Sequence, residues 1–437
     1  MLKNLDRLIR VPSVSQDEAK TLQALDEALA IAEEFGLKTR KAAGGQVGVV
    51  SIGSGEEILG ILTHVDVVPE GSKDAWTKPP YRLTQEDGKL YGRGTLDDKG
   101  PLIASLYALK FLKDSGMDLY KEVQLIIGTR EEIVWDDMER YAKEERLPDY
   151  GFTPDDAFPI CNAEKGYVDI ELEIPCGGRV ETGFYPVAAA AGTSNNTVPD
   201  HAELVLARFE NGMQCETRIV TAAGRAAHSS EPERGDNAIL KLADLLDKEN
   251  VQENRLSALL RELCKNLKDI YGSPLGLNSE SEYYKGEYVH RNTFCPTVLK
   301  TEDGVLRVNI NGRISPPSAP EDIWKKFDEF AGSLGGKAVI MEGLPAVFIE
   351  KTSPFIGKFV QAYEECTGLK NEFRISFGTS YAKAMPNIAA WGPLLPGDTD
   401  TCHEVDENIS LKTLTANAEI FAMAIGEIAG SKESFKL

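Results

Sequence analysis

EILGILTHVDVV, residues 57–68, is a short, almost unbroken run of Ile, Leu and Val carrying a histidine and an aspartate near its end. A run of this length and composition suits a strand covered on both faces, as in a parallel sheet. VGVVSI at 47–52 and VQLIIGT at 123–129 have the same character. Between the last two strands, GPLIASLYALKFLKDSG at 100–116 has a wide apolar face and a terminal glycine, so it reads as the crossover helix a parallel pair requires. Upstream, Leu22, Leu25, Leu29 and Ala32 recur at helical spacing and Gly36 supplies the stop. The GSG at 53–55 reads as a hairpin turn.

Past about residue 170 the strands become alternating: VDIELEI at 168–174, AELVLARF at 202–209, TRIVTAA at 217–223 and VLRVNINGRIS at 305–315. Helical stretches fall near 237–247 and 254–266. From about 353 helices and short apolar strands alternate again, with PFIGKFVQAYEECTG at 354–368 and a long final helix. The pattern predicts an α/β domain, a mixed sheet flanked by helices, made of residues 1–170 and 351–437, with an α+β domain of 171–350 inserted into it.

At 437 residues the chain exceeds what one core usually serves. Its 42% hydrophobic and 27% charged content is ordinary globular material. A net charge of -21 argues against a nucleic-acid partner, which needs a basic stripe. MLKNLDRLIRVPSVSQ lacks the apolar core of a secretory signal, and no long apolar run suggests a membrane span. Seven scattered cysteines without a CxxC pair read as reduced thiols, so a cytoplasmic protein is expected. Cys402 reads as a packing or supporting neighbour of His403 rather than a ligand.

Five segments then stand out. His64 and Asp66 lie two apart on the apolar run, so both are expected on one face, and unsatisfied there they would be costly. GRGTLDDKG at 92–100 lacks a Walker ending and a clean GxGxxG, but supplies Asp97 to bridge two cations and Asp98 to cap the following helix. Glu131 and Glu132 end a strand, where ligands and bases gather in α/β sheets. Asp155 in FTPDDAFP and His403 in TDTCHE complete the set. Two imidazoles with several carboxylates suit zinc, manganese or cobalt and point to a dinuclear metallohydrolase. His201 and His290 are assigned to no chemistry.

THVDVV, GRGTLDDKGP, the Glu pair, PDDAFPICNAEKG at 154–166, AAHSSEPERGDNA at 226–238 and the C-terminal His together resemble the co-catalytic zinc aminopeptidase–acylase superfamily. Within it the chain resembles the bacterial unspecific dipeptidase branch, related to carnosinase-like Xaa-His dipeptidases. The resemblance implies a catalytic α/β domain and an inserted lid domain that closes over the site.

It implies two divalent ions, zinc foremost, with manganese or cobalt as alternatives. Asp97 would bridge them, His64 and Asp155 would complete one site, and Glu132 and His403 the other. Asp66 would clamp His64, and Glu131 would act as general base toward a metal-bridging water. His228 would face the oxyanion, Arg313 would hold a substrate carboxylate, and Asn196 and Ser380 would contact substrate. The implied activity is hydrolysis of short peptides with a free N-terminus, by a monomer rather than a homodimer. A related N-acyl amino acid deacylase and a catalytically weak peptide-binding homologue are the alternatives. One departure stands out: Ile133 and Val134 follow the Glu pair where the family has a small residue and a glycine, so no positive-φ turn is expected there.

Overall fold

In the computed structural model the run at 57–68 is a strand only from Ile58 to His64, and all of it is buried. The structure describes residues 1–178, 180–279 and 281–436. Ile58–His64 pairs in parallel with Glu122–Gly128 on one side and with Tyr150–Thr153 on the other. Because it is hydrogen-bonded along both edges and covered on both faces, its unbroken apolar composition follows.

The chain divides into two compact units, Met1–Glu164 with Val347–Leu437, and Lys165–Ala346. In the first, a nine-stranded sheet runs Lys38–Ala42, Val47–Gly53, Glu122–Gly128, Ile58–His64, Tyr150–Thr153, Ile388–Ala390, Cys161–Glu164 and Val347–Phe348, with Arg374–Ser376 also paired to Cys161–Glu164. The sheet is mixed, since Val47–Gly53 runs antiparallel to Glu122–Gly128. The expected hairpin at GSG is therefore absent: Glu122–Gly128 lies between the two strands that GSG connects. The glycines instead let the link pass close to the incoming chain, because a Cβ on Gly53 would sit 2.3 Å from the Lys121 carbonyl oxygen and one on Gly55 2.2 Å from that of Tyr120.

The expected helices form at Glu18–Glu34, Lys99–Ser115, Pro354–Thr367 and Leu411–Ala429. Gly116 closes the second in the left-handed conformation, φ 69°. Asp98 stands at its N-cap position but makes no capping bond; its carboxylate accepts from the His64 N–H at 3.0 Å instead. Lys99–Ser115 packs on Leu411–Ala429, which packs in turn on Pro354–Thr367. Phe359 stacks on Trp391 at 4.7 Å, and Phe152 meets Trp391 edge-on at 5.3 Å, filling the core beside the central strands.

The second unit holds a seven-stranded antiparallel sheet in the order Met213–Ala223, His201–Glu210, Gly183–Ala191, Thr293–Glu302, Val305–Ile314, Gly166–Pro175 and Lys337–Leu344. Helices Leu242–Glu249, Arg255–Leu267 and Pro320–Ser333 belong to it, the second burying Leu256, Leu259, Leu260, Leu263 and Leu267. The first starts later than the sequence suggests because the Asn237 side chain accepts from the Ile239 N–H at 3.0 Å and holds a turn there. The fold is thus α/β, with an α+β unit inserted in the chain. Among the described residues no helix is long and apolar enough to cross a membrane.

Candidate metal centre

Three adjacent parallel strands end at one place. His64 is the last residue of Ile58–His64 and pairs in register with Gly128, from which the chain runs on to Glu131 and Glu132. On the other side Tyr150–Thr153 leads directly to Asp155. Carboxyl ends of parallel strands are where α/β sheets place ligands. Asp97 arrives from the loop before Lys99–Ser115, and His403 from the loop before Leu411–Ala429.

The two imidazoles address opposite oxygens of one carboxylate. His64 Nε2 lies 3.0 Å from Asp97 Oδ1 and 3.9 Å from Asp155 Oδ2. His403 Nε2 lies 3.0 Å from Asp97 Oδ2 and 3.1 Å from Glu132 Oε2. Donor atoms of His64, Glu131 and Asp155 lie within 4.8 Å of one another, as do those of Asp97, Cys402 and His403. Asp97, Glu131, Glu132, Asp155, Cys402 and His403 line a cleft of about 590 Å³, and His64 lies buried behind it.

These residues fit a pair of divalent ions. His64 is 1% exposed, yet its Nε2 makes no well-formed hydrogen bond even with Asp97 so near. A buried ring nitrogen left so is costly, and a cation satisfies it. Tetrahedral ligands at bond lengths of 2.0–2.2 Å lie about 3.3–3.6 Å apart, and the donor pairs here, at 3.0–3.9 Å, bracket that spacing.

The electrostatics agree. Burial, then repulsion from neighbouring carboxylates, lifts Glu131 and Asp155 well above the carboxylate range, and Glu132 to about 7. Burial opposes ionisation of Asp97 too, but His403 and His64 outweigh it and hold its carboxyl well below that range. Asp97 and Glu132 raise His403 to about 11. Without cations the folded site therefore holds more protons than the unfolded chain. Ionising Glu132 costs stability as pH rises from about 4.5 to about 7, and the contribution of protonated His403 is full below about 6.5 and lost on rising through about 11. Chelator-treated protein is expected to melt progressively lower from pH 5 to pH 8, with metal-loaded protein much flatter. Parallel calorimetric slopes for the two forms would refute this.

Supporting residues fix the donors. The strand ends before Asp66, so His64 and Asp66 do not share a strand face as expected. His64 Nδ1 lies 3.0 Å from the Asp66 main-chain oxygen and 3.4 Å from its carboxylate. The Asp66 carboxylate accepts instead from the N–H groups of Glu131 at 3.1 Å and Glu132 at 3.2 Å, and from the Ser15 hydroxyl at 2.8 Å. Asp66 thus clamps the glutamate turn as well as facing the histidine.

Glu407 belongs to none of the sequence motifs. It is fully buried and accepts from the N–H groups of Gly94, Leu96 and Asp97 at 3.0, 2.8 and 3.2 Å, and from Arg93 at 2.8 Å. It joins the Asp97 loop to the His403 loop; its one signal in the sequence is an acidic residue four positions after a candidate ligand. His403 is left-handed, φ 62°, which lets consecutive side chains converge: the Cys402 thiol donates to Asp97 Oδ2 at 3.0 Å.

Ser380 borders the cleft, but its hydroxyl donates to Glu164 at 2.9 Å, on the carboxylate that also takes Lys383. His228, Asn196 and Arg313 belong to the other unit, where they gather. Thr197 and His228 form a β-bridge, and the Asn196 carbonyl accepts from the Ser229 N–H at 2.9 Å. Burial, then the charge of Arg313, lowers His228 below the usual histidine range. The Arg313 guanidinium lies over the Tyr167 ring at 4.8 Å.

A mixed α/β sheet with a carboxylate between two imidazoles at its strand ends defines a metallopeptidase-type hydrolase, and the chain belongs to peptidase family M20/M25/M40, which it matches over residues 60–427. The family membership expected from the motifs holds. A relative from Bacillus subtilis (strain 168), "Putative dipeptidase YtjP", is 32% identical over 432 residues, covering 93% of this chain and 90% of its own. The aminoacylhistidine dipeptidase of Vibrio alginolyticus shares the fold at TM-score 0.62 and 15% identity, over 97% of this chain and 96% of that one. So does the Bacillus subtilis YXEP protein, described as a dinuclear metal binding peptidase, at TM-score 0.55 and 12% identity, over 98% and 97%.

Proposed function

We propose that this protein is a dinuclear metal-dependent dipeptidase acting on short peptides with a free N-terminus. The observation that carries this reading is Asp97 set between two imidazoles, one on each oxygen. His64 and Asp155 would hold one ion, Glu132 and His403 the other, with Asp97 shared. Zinc is the first choice, because imidazole and carboxylate donors are the set that catalytic zinc takes; manganese and cobalt suit the same set. Bound there, the ions supply positive charge that polarises the scissile carbonyl and acidifies water.

Glu131 takes the proton from the attacking water and delivers it to the leaving amine, so its carboxyl ends as it began. Burial keeps this carboxyl a stronger base than one in water. Asp66 holds the Glu131 and Glu132 amides still while their side chains take these different tasks. His228 donates to the developing oxyanion, Arg313 binds the substrate carboxylate, and Asn196 and Ser380 make further substrate contacts.

Beyond the donors the cleft carries Asp398 and Asp400, a setting that suits a free ammonium group better than an acylated nitrogen. All seven cysteines are free, which suits the reducing cytoplasm. The test is hydrolysis of unblocked dipeptides and of N-acyl amino acids by metal-stripped protein reloaded with zinc, manganese or cobalt. Metal-restored cleavage of the dipeptides is expected. Turnover of the acyl substrates alone would make it a deacylase, and metal binding without turnover a peptide-binding homologue.

A further inference from the structure

Ile133 and Val134 exclude a glycine turn after the glutamate pair, and the chain solves this one residue later. Trp135 takes the left-handed conformation, φ 53°, in which a bulky residue is a genuine outlier. Such a conformation persists only where its surroundings hold it. Val134 is 59% exposed while Trp135 is 8% exposed, so the turn throws the valine outward and the indole inward.

The indole makes two contacts. Its N–H donates to the carbonyl of Glu131. Its ring meets Tyr381 edge-on at 5.5 Å, and Tyr381 meets His64 edge-on at 6.1 Å. The Tyr381 hydroxyl donates to Asp137 at 2.9 Å, and the same Asp137 oxygen accepts from the Thr129 N–H at 2.8 Å. Tyr381 fits there because residue 128 is glycine: a Cβ would lie 2.3 Å from its hydroxyl.

One peptide group is thereby pinned at both ends. The bond joining Glu131 to Glu132 sends its C=O to the Trp135 indole and its N–H to the Asp66 carboxylate. The orientation of that plane decides which way each of the two side chains leaves the turn. We propose that Trp135 is a positioning residue that, with Asp66, fixes the division of labour between Glu131 as base and Glu132 as ligand. This rests on the dipeptidase reading for the role of Glu131, but the pinned peptide stands without it.

The test replaces Trp135 with benzothienylalanine, an isosteric ring lacking the N–H, alongside Trp135→Phe. In the sulfur analogue kcat is expected to fall about 10–100-fold with KM within about twofold, and zinc affinity to weaken by a similar factor, while the melting temperature of the metal-free protein holds. In metal-free protein labelled with 15N at the indoles, the resonance lost in Trp135→Phe should exchange slowly with solvent. Wild-type kcat and zinc affinity in the sulfur analogue, or fast exchange of that indole, would overturn the proposal. If the unaltered protein cleaves no dipeptide, the dipeptidase reading fails, while zinc affinity and exchange still decide the role of Trp135.

Discussion

Glu131→Gln lowers dipeptide turnover by about 10²–10⁴-fold while two metal ions per chain remain bound, the range expected on removing a positioned general base. The substitution keeps the shape of the side chain, and the main-chain bonds of residue 131 to Asp66 and Trp135 are untouched. What is lost is the ability to accept a proton. The experiment also settles a choice left by the geometry, since Glu131 lies among donor atoms with His64 and Asp155. Loss of one ion with the activity would make Glu131 a ligand; turnover within tenfold of the unaltered enzyme would place the proton transfer elsewhere. Metal content by atomic absorption, measured beside kcat, reads both outcomes.

Glu407→Ala is the largest stability effect expected. It removes the partner of buried Arg93 and orphans the N–H groups of Gly94, Leu96 and Asp97 together. Breaking a buried ion pair from one side costs about 3–5 kcal/mol, because the remaining charge is left in a poor solvent. Arg93 is 2% exposed and cannot turn to water without opening the loop. Denaturant unfolding of the metal-free protein checks the figure without interference from bound ions. A loss below about 1 kcal/mol would mean that the Asp97 loop holds its shape without this carboxylate.

The helices and the central strand were legible because their signals are local. Glu18–Glu34 and Lys99–Ser115 show spacing and stop glycines, and a two-sided buried strand must be apolar throughout. The GSG link misled because a glycine turn looks the same whether the flanking strands pair or a third strand enters between them; only pairing over long separation decides it. The candidate donors were legible as a set, through residue type at the ends of strands and loops, and the structure brings them together. Their supports were not. Asp66 looked like a partner of His64 alone, but its carboxylate holds the amides of residues 131 and 132, a contact spanning two strand ends. Trp135 gave no sign, since left-handed backbone at a tryptophan has no signature beyond the missing glycine.

The path of the bond network through Glu407 bears on how the protein is made. Arg93 and Asp97 leave the ribosome some three hundred residues before their acceptor, and Ile388–Ala390, which pairs with Tyr150–Thr153, comes almost as late. Until those late segments emerge, a nascent chain has a guanidinium without its carboxylate and Asp97 without the His403 imidazole. The inserted unit, Lys165–Ala346, is complete in sequence by then. Domains fold as units during synthesis, so this one can form first while its host waits. A chain stalled before residue 403 therefore lacks both His403 and Glu407, and its Asp97 loop is without the carboxylate that holds it.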